Sequence, residues 1–422
     1  MSESSQNEYS RSRLARESEA ALNRLVETFD ENPAAMEYFY DLFRRVYCRG
    51  EELPGSGVRV GTTCIHVPDE LIYAVGARPV RLCNGSYHYD QIGADFMPAK
   101  SCPLVRATLG ALLSEDRVPR AGKLDLIVNP TSCDQKKKAS AAIAAMGHAV
   151  YDLELPNGKD SEAARVYWQR SVRDLAVRLS QLTGQRLKRN RLAEAMALVR
   201  RAEAAFRALD RLRERVPSVI LGKDAFLVTN AFFFDEIERW TEAVEALNRE
   251  LEERAAGDFA AAQLRAPRIL FTGSPPVFPN LKLPLLIEEA GGVVVADETC
   301  SANRMLNGMA ASDEWLLNDM VDALADKYLK PCTCPIFTHN DDRLRRLLDL
   351  ARRFLADGVV YQTLAGCQVY DMEQRSVSEH LKREGIPMLY IETDYSPDDA
   401  GQLSTRVEAF IESINARKKV HA

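Results

Sequence analysis

The sequence predicts an α/β protein with two Rossmann-like (flavodoxin-like) parallel-sheet domains, a helical N-terminal arm and a helical insert. Three observations predict it. Short apolar runs alternate with helical stretches in two blocks, 58–159 and 267–422, which is the pattern of a parallel sheet with crossover helices. The segment between them, 160–266, and the leading segment, 1–57, carry long charged helical patterns and no strand-like run. The apolar runs are short and end in Gly, Pro, Ser or Asn, as buried strands do.

Each element follows in order. Leu22, Leu25, Val26 and Phe29 recur at helical spacing, and Phe39, Tyr40, Leu42, Phe43 and Val46 extend an apolar face. This arm is expected to lie on the first sheet domain or on a partner. Glu51–Gly57 is a Gly/Pro break. Gly55, Gly57 and Gly61 precede a strand instead of following one, so they do not make a dinucleotide loop. Strands are expected at 58–61, 79–82, 124–128 and 149–155, with helices at 69–75, 103–113 and 134–146. Ser101 suits an N-cap and Pro103 a first turn. In the insert, 162–183, 189–215 and 235–254 read as helices whose Arg and Glu at i, i+4 suit solvated faces. Gly222–Phe234 reads as a less regular apolar break. The second domain offers strands at 268–271, 293–296, 359–364 and 388–391, and helices at 281–290, 341–356, 370–383 and 402–415.

Bulk properties exclude several classes. The chain has 422 residues and a net charge of −6, which argues against non-specific nucleic-acid binding. No apolar run reaches the length of a membrane span, and the first twenty residues lack the apolar core of a secretory signal. A cytoplasmic location is expected, so Asn84-Gly-Ser86 is a chance sequon. Nine cysteines in such a chain point to packed thiols, redox chemistry or metal, since disulfides are rare there. Six histidines, with no HExxH and no pair at i, i+3 or i+4, give little for zinc. All-thiolate iron–sulfur ligation is the better metal reading.

The placement of the cysteines carries most. Cys64, Cys83, Cys133, Cys300 and Cys367 each follow a predicted strand within a few residues, and Cys102 opens a helix. Open α/β sheets bind ligands at the carboxyl ends of their strands. A thiolate also gains from a helix N-terminus. Two sheets facing each other would bring these edges to one cleft. Cys332 and Cys334 form a Cys-Thr-Cys pair; if extended, both sulfurs fall on one side. Glu298, Glu392, Asp394 and Ser274 lie near strand ends and are candidate proton donors, against the plainer reading as caps or loop residues. Lys136–Lys138 reads as a solvated helix face.

With these residues in hand, the chain resembles the 2-hydroxyacyl-CoA dehydratase/benzoyl-CoA reductase family from about residue 58 to 415. The likeness is carried by SCPLVRATLG, TSCDQKKK, LFTGSPPVFPNLKLPLLIEEAGGVVVADETC and LAGC before VYDMEQ. It implies that Cys102, Cys133 and Cys367 ligate a [4Fe-4S] cluster with one iron left open. GTTCIHVPDELIYAVG, VRLCNGS, KYLKPCTCP and IETDYSPDDAGQLSTRVEAFI resemble the double-cubane cluster branch, which implies a second cubane in an [8Fe-9S] group. Its ligands would come from Cys64, Cys300 and one or both of Cys332 and Cys334. Cys83 is a weaker candidate, and Cys48 in the arm is a plain thiol.

The chain has no G-x-x-x-x-G-K-[ST] loop; Gly222-Lys223 lacks the partner glycine. The resemblance therefore implies a separate ATP-hydrolysing [4Fe-4S] activator protein, a small-molecule substrate and a homodimer. Three readings stand. The first is an ATP-coupled reductase at a double cubane. The second is a dehydratase component for a 2-hydroxyacyl-CoA with one cubane. The third is an electron carrier without a substrate.

Overall fold

The computed structural model describes residues 3–114, 119, 122–257, 259–306, 310, 311 and 313–420. It contains two four-stranded, wholly parallel sheets. The first holds β1 (Arg59–Thr62), β2 (Arg78–Arg81), β3 (Leu126–Pro130) and β4 (Val150–Leu153) in the order β2-β1-β3-β4. The second holds β5 (Arg268–Gly273), β6 (Val293–Glu298), β7 (Gly358–Leu364) and β8 (Met388–Thr393) in the order β6-β5-β7-β8. Both follow the flavodoxin-like order, whose ligand crevice opens where the winding reverses, between the first and third strands. Here those points are the ends of β1 and β3, and of β5 and β7.

Alternation along the strands builds three apolar clusters. Ile127 of β3, Ile269 and Phe271 of β5 and Val360 of β7 join a core that runs between the sheets and takes in the arm. Val60, Leu126 and Val128 face the other way, onto Trp168, Val172, Met320 and Leu324. Leu270, Val295, Val359 and Tyr361 face a third cluster with Leu347 and Val377. Burying each such large side chain is worth about 1.5–3 kcal/mol.

The packing crosses the sequence blocks. Helix Leu317–Leu329, which follows β6, closes the outer face of the first sheet: Trp168 Nε1 donates to the Ala325 carbonyl at 2.8 Å. The arm touches both halves and the middle helices. Glu17 accepts from Ser86 Oγ at 2.7 Å, Arg24 pairs with Glu289 at 2.5 Å, and the Phe43 ring lies 4.5 Å from that of Phe278. It thus lies over more than the first sheet, because its apolar face spans the seam.

Residues 222–231 correct the sequence reading. They form a regular helix, and every residue in it is buried. Burial all round leaves no amphipathic stripe, so periodicity was absent. The Glu288 carboxylate accepts from the Gly222 and Lys223 amides at 2.6 and 3.1 Å and satisfies that helix's first donors. No described helix is long and apolar enough to cross a membrane.

Candidate functional site

Three short loops present three cysteines in the same way. Cys133 follows β3 as the N-cap of helix Asp134–Ala145. Cys367 follows β7 as the N-cap of helix Gln368–Arg383, and Cys102 caps helix Pro103–Leu113. The second and third amides of each helix act on its sulfur and pull its pKa down against the larger effects that raise Cys102 and Cys133: Leu104 and Val105 on Cys102, Gln135 and Lys136 on Cys133, Val369 and Tyr370 on Cys367. Cys102 and Cys367 also share a proton. Their mutual hydrogen bond raises Cys102 well above the thiol range and lowers Cys367 to about 7.

Gln135 ties these loops together. Its Oε1 accepts from the Cys102 amide at 2.6 Å, and its Nε2 donates to the Gly366 carbonyl at 2.8 Å. Gly366 has φ +79°, and a Cβ there would run into the Lys100 carbonyl, so glycine is what lets the β7 loop approach this closely.

A second group of thiols faces the first. Cys64 follows β1, Cys83 follows β2, Cys300 follows β6, and Cys334 comes from the loop after helix Leu317–Leu329. With Cys102, Cys133 and Cys367 they line one cavity of about 640 Å³. Seven of the nine cysteines therefore meet at one place. Burial pushes Cys300 up to about 12 and raises Cys83 and Cys133, so in the metal-free chain these thiols hold their protons. Cys64 differs. Burial would raise it, but His66, with Nδ1 3.3 Å from the sulfur, and Lys136 lower it well below the usual range.

Several readings need correction. Cys332 does not line the cavity. The Cys332 sulfur lies 3.4 Å from His66 Nε2, whereas Cys334 lines the cavity. Glu298 is fully buried among Arg304 (2.7 Å), Arg343, Thr333 (2.5 Å) and Thr272 (3.1 Å). Burial would raise its pKa, but the two guanidinium groups outweigh that and hold it at about 2. A carboxylate so held gives up no proton and is structural. Glu392 is exposed on β8 and does not line the cavity, so it is no buried donor either. Asp394 accepts from the Ser396 amide at 2.7 Å, a turn contact. Ser274 does line the cavity; its Oγ accepts from the Leu364 amide at 3.0 Å and it hydrogen-bonds Cys367. In the lysine run, Lys137 and Lys138 are exposed, but Lys136 turns into the cavity wall and donates to the Thr63 carbonyl.

The donor set suits a sulfur-bridged group better than a single ion. Among the described residues no three Cys, His, Asp or Glu side chains converge on one ion-sized point. The cavity instead spreads thiols around a wide space, with helix amides behind three of them, and soft thiolates select iron–sulfur clusters among the metal groups.

Comparison with known proteins gives the family. The model for "2-hydroxyglutaryl-CoA dehydratase, D-component" matches residues 64–414. The chain belongs to this family. YjiM of Escherichia coli (strain K12), provisionally named as a dehydratase subunit, is 33% identical over 392 residues, 90% of this chain and 98% of that one. The β subunit of (R)-2-hydroxyglutaryl-CoA dehydratase from Acidaminococcus fermentans is 24% identical, over 84% of this chain and 92% of its own. The (R)-phenyllactyl-CoA dehydratase β subunit of Clostridium sporogenes is 20% identical, over 84% and 91%. The span matched by the 2-hydroxyglutaryl-CoA dehydratase D-component model begins at Cys64 and takes in all seven cavity thiols. Cys48 lies outside it, in the arm, where burial raises its thiol to about 11.

Sequence reasoning missed His66, Gln135, Lys136 and Arg81. Gln135 and Lys136 stand inside TSCDQKKK and His66 inside GTTCIHVPDE, so the motifs held them without showing their roles. Arg81 ends β2, lines the cavity while 6% exposed, and has its Nε on Thr62 Oγ1 at 3.0 Å.

Proposed function

We propose that this member of the family is a dehydratase-type iron–sulfur enzyme component that holds a group larger than one cubane in the seven-thiol cavity and works reductively on a small molecule. One observation carries the reading: seven cysteines line a single cavity, whereas one [4Fe-4S] cluster takes four thiolates at most. Such a group would supply single low-potential electrons to a substrate. Cys102, Cys133 and Cys367 would hold one side of it, and Cys64, Cys300 and Cys334 the other, with Cys83 in reserve. The helix amides would stabilise the charged thiolates, and Lys136 and Arg81 would offset the remaining negative charge. Gln135 would keep the first three loops in register. The carboxylates in the cavity wall are Asp134, Asp341 and Glu373, so a proton to the substrate would come from one of these, from Ser274 or from solvent.

The chain lacks a nucleotide loop, so the electron is expected from an ATP-hydrolysing [4Fe-4S] activator docking over the cavity. Anaerobic iron and acid-labile sulfide analysis tests the group: about eight irons per chain are expected. A full-occupancy value near four would favour the second reading, an (R)-2-hydroxyacyl-CoA dehydratase component with a single cubane on Cys102, Cys133 and Cys367. The names of two relatives favour that reading. Turnover of acetylene or hydrazine with chain, cognate activator and a low-potential donor tests the coupling. Product is expected only with both ATP and activator; equal rates without ATP would sink it. Cluster reduction without product from any small molecule or acyl-CoA would leave an electron carrier.

A further inference from the structure

We propose that Cys332 is not a metal ligand, and that His66, held between Cys332 and Cys64, is a positioning residue that hydrogen-bonds the Cys64 sulfur and tunes the group bound there. This rests on the iron–sulfur reading above.

The geometry is specific. His66 is completely buried, with Nδ1 3.3 Å from the Cys64 sulfur and Nε2 3.4 Å from the Cys332 sulfur. Phe337 and Trp168 meet its ring at 76° and 82°, with centroids 5.8 and 6.4 Å away, so the imidazole plane is fixed. Only Cys64 of the two thiols reaches the cavity. Cys332 opens instead on a separate void of about 60 Å³ beside Arg304 and Lys327.

The Cys-Thr-Cys segment is also held against rotation. Lys159 Nζ donates to the Cys332 carbonyl at 2.6 Å, and Asn340 Nδ2 donates to the Cys334 carbonyl at 2.9 Å. Between them Thr333 Oγ1 donates to Glu298 at 2.5 Å. These bonds fix the backbone of the segment, so only the Cys332 side chain could swing, which would take its sulfur off His66 and toward the cavity. Cys334 already points there and needs no change.

A ligating thiolate only accepts hydrogen bonds, so Nδ1 must carry the proton that faces Cys64. Nε2 then rests on Cys332, which sets the ring's orientation. A donor to a ligating sulfur draws electron density from it and makes the cluster easier to reduce. His66 thus sits where it would raise the potential of the half of the group bound by Cys64.

The test uses the full chain, loaded anaerobically, as wild type and as Cys332→Ala, Cys334→Ala, His66→Phe, His66→Asn and His66→Gln. Iron per chain, the electron paramagnetic resonance spectrum of the reduced state and the midpoint potential are read for each. Cys334→Ala should lose a large part of the iron, and Cys332→Ala should keep the wild-type amount. His66→Phe should keep its iron but shift to a more negative potential with an altered spectrum. An Asn amide reaches the Nδ1 position and should restore the potential, whereas a Gln amide reaches the Nε2 position and should not. Should the Phe variant fail to fold, the Asn and Gln pair reads the same contact. Equal iron loss from Cys332→Ala and Cys334→Ala would overturn the ligand assignment. Unchanged potential and spectrum in His66→Phe, or in His66→Gln, would overturn the positioning role. Wild-type chain without iron or sulfide would overturn both this inference and the reading beneath it, which the first two results leave standing.

Discussion

At the carboxyl end of the second sheet, Glu298 is enclosed by Arg304 and Arg343, all three at most 3% exposed. At the carboxyl end of the first sheet, Arg81 and Lys136 face the thiols, and neither pairs with a described carboxylate. The strand order is the same, yet one end settles its charges within the protein and the other leaves two cations beside sulfur. A buried cation without an anion is costly. The Glu298 cluster is therefore scaffold, while Arg81 and Lys136 keep their charge facing the thiols that both sheets bring to the cavity.

Breaking the scaffold end should have the largest effect. Glu298→Ala leaves two buried guanidinium groups uncompensated and should cost about 3–5 kcal/mol of stability by denaturant unfolding. Acid sharpens the same point. The folded value of Glu298, about 2, lies below its ordinary 4.5. Its contribution is complete above the ordinary value and is lost as pH falls toward the folded one. The denaturation midpoint of the wild type should fall more steeply between those values than that of Glu298→Gln. A parallel fall in both would mean that the ion pairs carry no such weight.

Between the two ends, Gln135→Ala removes one bond to each of two loops. A loss of about 1–3 kcal/mol is expected, with faster hydrogen exchange at the Cys102 amide, which would lose its acceptor. Protection unchanged at that amide would show that Gln135 is not the clamp. The smallest stability effect belongs to the functional end. Lys136→Met should change unfolding by less than about 1 kcal/mol. It should nonetheless hasten release of bound iron to a chelator several-fold, since a charge that stabilises the thiolates is gone. Unchanged release would return Lys136 to the role of an ordinary surface lysine.

The fold was legible because each strand is a short apolar run stopped by turn residues; Leu126–Pro130 and Gly358–Leu364 are wholly buried, as such runs imply. Helix Gly222–Ala231 was not, because burial on every side erases the periodic signal. The convergence of thiols was legible from strand ends, since topology alone sends those ends to one crevice. The contacts of His66 were not. Its partner Cys332 is 266 positions away, and no local spacing reports so distant a neighbour. The role of Glu298 was left open for the same reason: it ends its strand like a candidate acid, but Arg343, 45 positions on, decides its charge. Which of Cys332 and Cys334 reaches the cavity was not legible, because a two-residue spacing fixes sidedness only in extended chain; of the two, Cys334 lines it.

The bond from Gln135 to Gly366 spans 231 positions, and it has a consequence for how the protein is made. Ribosomes add about 5–20 residues per second, so roughly 15–60 s separate the synthesis of Cys64 from that of Cys367. Throughout that interval the thiols of the first half exist without the wall that faces them. On the reading proposed above, a group held by both halves would have no complete receiving cavity before Cys367 has been made, so its loading would come late in synthesis or after it.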